Sequence, residues 1–110
     1  MGMSSEMLKG HLDAVLLATI GDAALHGYAI IEAIRDRSGG HFDLPEGTIY
    51  PALHRLELGG LLSSRWVQPE GGRKRRVYAL TDKGRQSLVE RRAGWQSFAS
   101  GIDRVLGARA

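Results

Sequence analysis

Two stretches rich in β-favouring residues, LLSSRWVQ (61–68) and RRVYALT (75–81), enclose PEGGRK, and the pair Gly71-Gly72 supplies a turn between them. The chain therefore carries a β-hairpin. Its inner face stays open at this level, since Tyr78 and Leu80 lie opposite Val77 and Ala79. The hairpin also gathers charge: Arg73, Lys74, Arg75 and Arg76 follow one another at the tip. A solubility face would scatter cations along a helix. A run held at one turn is a candidate binding surface, and the elements around it decide between decoration and contact.

Helical patterns flank the hairpin on both sides. Residues 7–20, MLKGHLDAVLLATI, place Leu8, Leu12, Val15, Leu16 and Ile20 on one stripe, giving a first helix that ends near Gly21-Asp22. A second begins around His26-Gly27, buries Ile30, Ile31 and Ile34, and stops after Arg37 at Ser38-Gly39-Gly40. Phe42 and Leu44 of the bridging segment are offered to the core. Residues 45–60, PEGTIYPALHRLELGG, give a third helix with Ile49, Leu53 and Leu56 on its buried side and Gly59-Gly60 as its stop. Pro51 allows two starts. With Thr48 as N-cap its missing N–H is an orphan anyway; with a start near Pro45 its ring faces the carbonyl of Gly47, where the chain can relax.

After the hairpin, Thr81 is a good N-cap for a last helix running to about Leu106, with Asp82 near its positive end. Leu88, Trp95 and Ile102 repeat at heptad spacing, and Phe98 and Val105 fill alternate seam positions, with Arg91 interrupting. Such a helix spans on the order of 40 Å. The rest of the chain should form a body only about 25 Å across. The helix overhangs, and its apolar stripe asks for a partner. A twofold homodimer supplies one most simply, with Leu8, Leu12, Leu88, Trp95, Phe98, Ile102 and Val105 as its expected interface.

Composition narrows the functional classes. The 110 residues fit one folded unit, with 43% hydrophobic and 25% charged residues. Cysteine is absent, which removes disulfides, thiolate catalysis and cysteine zinc sites. The four histidines, at 11, 26, 41 and 54, lack the spacing of a metal site. No nucleophile elbow, phosphate-binding lysine loop or paired carboxylates in an apolar setting are present, so neither an enzyme nor a cofactor is expected. No apolar run approaches the ~20 residues of a membrane span. The start MGMSSE has no signal-peptide pattern, and a cytoplasmic location is expected. The pI of about 9.7 favours an acidic partner.

Three helices followed by a basic-tipped hairpin follow the order of a winged helix-turn-helix, in a mainly α (α+β) fold. In that arrangement the helix before the hairpin enters the major groove and the hairpin lies along the flanking backbone. The outward face of the third helix offers Gly47, Thr48, Tyr50, Pro51, His54 and Arg55, and the wing offers Arg73, Lys74, Arg75 and Arg76. Tyr28, at the start of the second helix, can present its hydroxyl and the helix end to a phosphate or simply pack. Tyr50 is read as a contact because Ile49 and Leu53 define the buried side. Arg55 is either a phosphate contact or the partner of Glu57 or another carboxylate.

The stretches HGYAI (26–30), EGTIYPALHRLELGGLL (46–62) and GGRKRRVYALTDKG (71–84) resemble, in order and spacing, the signature blocks of the PadR-type transcriptional regulators. With the helices between them the likeness covers roughly residues 7–106. The resemblance implies a bacterial transcription factor, usually a repressor, binding a palindromic operator in double-stranded DNA as a homodimer. With one helix beyond the wing, the chain resembles the family's short branch. Residues 1–80 would then be the DNA-binding domain and residues 81–110 the dimerisation helix, packed as one unit with the first helix. Gly94 and Gly101 depart from a good helix, each costing about 1 kcal/mol against Ala. Some short-branch relatives resemble multidrug sensors that hold flat aromatic ligands between tryptophans at the dimer centre. Trp95 takes the matching place, and either holds such a small aromatic ligand or fills the interface. The alternative to a sequence-specific regulator is a winged-helix adaptor for an acidic protein partner, or a general nucleic-acid binder.

Overall fold

The computed structural model describes residue 8 and residues 10–107. In chain order the elements are α1 (Leu12–Ile20), β1 (Leu25–His26), α2 (Gly27–Arg37), α3 (Glu46–Leu58), β2 (Leu62–Val67), β3 (Arg75–Leu80) and α4 (Asp82–Leu106). This is the mainly helical winged helix-turn-helix that the pattern implies. Two details differ. The stripe over 7–20 is not one helix, because Gly10, at φ 92°, and His11 form a turn between the helical Leu8 and α1. Only glycine reaches that backbone region at little cost. Met7 and Lys9 lie outside the described residues. The hairpin also gains a third strand: β1 pairs with β3, giving the antiparallel order β1-β3-β2.

The register resolves the hairpin's faces. Leu62 lies opposite Leu80, Ser64 opposite Tyr78 and Trp66 opposite Arg76. Tyr78 and Leu80 are buried and Val77 and Ala79 only half-buried, so the Tyr78 side faces the core. That core gathers Leu16, Leu17 and Ile20 of α1, Ile30, Ile31 and Ile34 of α2, Ile49, Leu53 and Leu56 of α3, and Leu44 between the helices, with Phe42 packed at its edge. Burial of side chains this size stabilises by roughly 1.5–3 kcal/mol each, which fixes the angle of α3 against α1 and α2.

Helix ends follow the residues that cap them. His26 caps α2 by accepting the Ala29 N–H on Nδ1. Pro45 is the N-cap of α3, so Pro51 sits inside the helix and faces the Gly47 carbonyl. Thr81 caps α4: its Oγ1 accepts the Gly84 N–H at 3.0 Å and its own hydroxyl donates to the Gly60 carbonyl at 2.6 Å. Gly84 is needed for close approach, since a methyl group there would overlap the backbone of Leu61. This contact presses the start of α4 onto the turn between α3 and β2.

From Val89 onward most of α4 is exposed, its inner side still lying along α1 as far as Phe98, and the chain as a whole is elongated. The chain's Cα radius of gyration of 15.4 Å exceeds the ~13 Å of a compact chain this long, and its longest dimension is 54 Å. The seam residues divide accordingly. Leu8 and Leu88 are buried in the subunit's own core and Leu12 packs half-buried against it. Trp95, Phe98, Ile102 and Val105 are exposed. No helix among the described residues is long and apolar enough to cross a membrane.

Candidate nucleic-acid interface

Helix α3 sorts its side chains by spacing. Ile49, Ala52, Leu53 and Leu56 are buried, whereas Gly47, Tyr50, Pro51 and His54 lie three, four and seven apart on the exposed side. Thr48 is half-buried beside them. A methyl group at Gly47 would meet nothing within 4 Å, so the subunit itself does not demand glycine there. The result is a stripe of low relief with one ring and one imidazole, a shape that fits a groove.

Tyr50 does two things. It is 39% exposed, yet its ring lies so close over Gly27 that a methyl group at that position would overlap it. Gly27 therefore permits the closest approach of α3 to the start of α2. Tyr28, next in the chain, is 58% exposed. His26, on the other side, brings Nε2 to within 3.1 Å of Arg75 Nη1 on β3. Through Tyr50, Gly27, His26 and Arg75, one continuous line of contacts joins the exposed face of α3 to the base of the wing.

The four wing cations are not equivalent. Arg75 and Arg76 belong to β3 rather than to the tip, and strand alternation sends them to opposite faces. Arg76 lies over the Trp66 ring, 5.4 Å from its centroid, and reaches Glu57 at 3.5 Å, while the Ser64 hydroxyl donates to the same Glu57 carboxylate at 2.5 Å. Arg73 and Lys74 occupy the turn, exposed, with no ion-pair partner among the described residues. Only these two are wholly uncommitted. Arg65, exposed on the β2 strand, adds a cation to the Arg75 face that the residue run did not suggest.

Arg55 is placed differently from the rest. Its guanidinium grips Asp13 of α1 with contacts of 2.9 to 3.0 Å, and the hydrogen bond to that carboxylate raises its pKa further, holding it fully charged. The carboxylate partner is thus Asp13, not Glu57. Arg91 of α4 approaches the same carboxylate at 3.9 Å. Asp13 joins three helices, a role that a lone aspartate in a helical stripe does not announce.

Between α1 and the outgoing α4 lies an open groove of about 730 Å³, with Leu88, Ala14, His11, Arg91, Trp95 and Phe98 in its walls. Trp95 meets His11 edge-on at 5.2 Å between centroids and Phe98 at 5.9 Å. No cluster of potential metal ligands occurs among the described residues.

Comparison with known proteins agrees with this geometry. Residues 16–90 match the family described as "Transcriptional regulator PadR-like family". A transcriptional regulator of Mycobacterium tuberculosis, Rv3488, is 37% identical over 95 residues, covering 86% of this chain and 82% of that protein. Among solved structures, a PadR-like transcriptional regulator of Bacillus cereus is similar with a TM-score of 0.80 at 28% identity, covering 94% of this chain and 99% of the other. A PadR-like transcription factor from Bacteroides fragilis gives a TM-score of 0.76 at 31% identity, covering 92% and 95% of the two chains. Regulators of this kind are transcription factors rather than enzymes. The chain belongs to the PadR-like family of DNA-binding transcriptional regulators.

Proposed function

We propose that the chain acts in the cytoplasm as a homodimeric repressor that binds a palindromic operator and is released by a small, flat aromatic ligand. The observation that supports this best is the unbroken line from Tyr50 through Gly27 and His26 to Arg75, which sets a groove-shaped helix face beside a cationic wing. In this reading Gly47, Thr48, Tyr50, Pro51 and His54 meet base edges, while Tyr28, Arg73, Lys74, Arg75 and Arg76 hold phosphates. Arg55 reaches a phosphate only by leaving Asp13.

The exposed Trp95, Phe98, Ile102 and Val105 support a dimer through α4, residues 81–110 serving as the pairing unit and residues 1–80 as the reading unit. Two copies would set their α3 helices in major grooves one turn apart, about 34 Å. A ligand seated against Trp95 in the α1–α4 groove would change that spacing, and it can do so only by its difference in affinity for the two arrangements.

Footprinting on the region upstream of the chain's own gene tests the proposal. The expected result is a protected, twofold-symmetric site, lost when a flat aromatic that quenches Trp95 is added. Binding with no preference between sequences would instead favour a general nucleic-acid binder or an adaptor for an acidic protein.

A further inference from the structure

His26 is in a position that its own chemistry does not satisfy. A neutral imidazole carries one N–H and one lone pair. Nδ1 spends its lone pair on the Ala29 N–H at 3.3 Å, capping α2, so the ring proton belongs on Nε2. Nε2 then points at Arg75 Nη1, 3.1 Å away, and an arginine can only donate. Two donors face each other with no acceptor between them. Exchanging the tautomer does not help, because Nδ1–H would then face the Ala29 N–H. Of the two conflicts, the one at Ala29 is partly buried and the one at Arg75 is exposed, so an acceptor can enter from outside only there.

We propose that His26 and Arg75 together hold one backbone phosphate of bound DNA, with a single non-bridging oxygen accepting from both Nε2–H and the guanidinium. This rests on the DNA-binding reading above and adds a residue to it. The pair sits one residue from Gly27, on which Tyr50 of the reading helix rests. The phosphate would therefore be gripped at the junction of α3 and the wing, and it would set the register of one against the other. Charge-assisted hydrogen bonds of this type are among the stronger polar contacts, and a phosphate contact carries no sequence information of its own.

The test is a double-mutant cycle in DNA binding. His26→Asn keeps a good helix cap but is too short to keep the Nε2 donor. Arg75→Gln removes the charge. Affinity is measured over a salt series for a duplex from upstream of the chain's own gene and for a scrambled duplex of equal length. His26→Asn should weaken both duplexes by the same factor, roughly three- to tenfold. Arg75→Gln should also lower the slope of log K against log salt by about one. Because one oxygen serves both residues, the double variant should bind no more than about twofold more weakly than Arg75→Gln alone.

Affinity unchanged by His26→Asn, or losses that multiply in the double variant, would overturn the shared phosphate. If the Asn variant does not fold, His26→Ser, another good cap, replaces it. The His26 ring resonance of the unaltered protein needs no variant at all: it should move on adding duplex and stay put in Arg75→Gln. A shift with inorganic phosphate but none with duplex would assign the pair to a free anion and overturn the proposal. Failure of the unaltered protein to bind either duplex would refute the DNA reading itself, a result distinct from every outcome above.

Discussion

Arg55 straddles the carboxylate of Asp13, with contacts of 2.9 and 3.0 Å to Oδ1 and 3.0 Å to Oδ2, although 42 positions separate them in the chain. The pair ties α3 to α1, and Arg91 brings α4 to the same point. Replacing Asp13 with Asn removes the charge that retains Arg55. A partly exposed bidentate pair contributes about 1 kcal/mol or less, so thermal stability should fall only slightly. If that side faces DNA as proposed, the freed guanidinium should add a cation to it, raising affinity at low salt and steepening the salt slope by up to about one. Parallel melting and salt-titrated mobility shifts check both halves. Weaker binding at every salt concentration would mean that Asp13 positions α3 rather than restraining Arg55.

Gly84 marks the tightest joint between the wing's root and α4. Gly84→Ala drives a methyl group into the Leu61 backbone, which cannot move aside as a side chain could. The expected loss is about 2–3 kcal/mol, or roughly 10 °C or more in Tm for a domain of this size. At Gly101 the same substitution meets open space, and it should instead add up to about 1 kcal/mol of helix propensity. Thermal unfolding of the two variants side by side reads the contrast.

Burial raises the Tyr78 phenol above its ordinary value of 10.0, with the Arg76 charge pulling it partly back. The folded state therefore holds the phenolic proton more tightly than the unfolded chain does. Its stabilisation is complete below about pH 10 and is lost as pH rises through the folded-state pKa. Tyr78→Phe should flatten the alkaline limb of a stability-against-pH curve measured by denaturant unfolding. An unchanged limb would place the alkaline loss elsewhere.

The uncommitted tip cations offer the cleanest electrostatic test. Arg73→Ala with Lys74→Ala breaks no ion pair found among the described residues, so melting should be unaffected. If each neutralises one phosphate, the salt slope of duplex binding should fall by about two. A slope unmoved by the double substitution would remove the tip from the interface.

Much of this fold is legible in the sequence because its signals are local. Apolar spacing gives α2, α3 and α4, Thr81 and Gly59 mark ends, and Gly71-Gly72 marks the hairpin. The hairpin's inner face is not legible, since Tyr78, Leu80, Val77 and Ala79 are all apolar enough to be buried; packing against α3 and α4 decides. Strand β1 spans two residues and has no pattern to detect. The start of the first helix fails at Gly10, where a positive φ overrides an unbroken apolar stripe. Read as one run, residues 73–76 look like a tip, but period-two alternation already separates Arg75 from Arg76 once the strand is extended back. Within the candidate site, the α3 stripe follows from helical spacing. The Arg55–Asp13 pair does not, because ion pairs between distant elements leave no trace in local order. His26 as a cap was within reach, since it directly precedes a helix start; its meeting with Arg75 across the sheet was not.

The most direct test is a mobility-shift titration with the duplex from upstream of the chain's own gene, run against a scrambled duplex as salt is raised. A wing beside a reading helix predicts tighter binding to the native duplex at every salt concentration and an affinity that falls steeply with salt. Equal affinity for the two duplexes, or binding indifferent to salt, would contradict it.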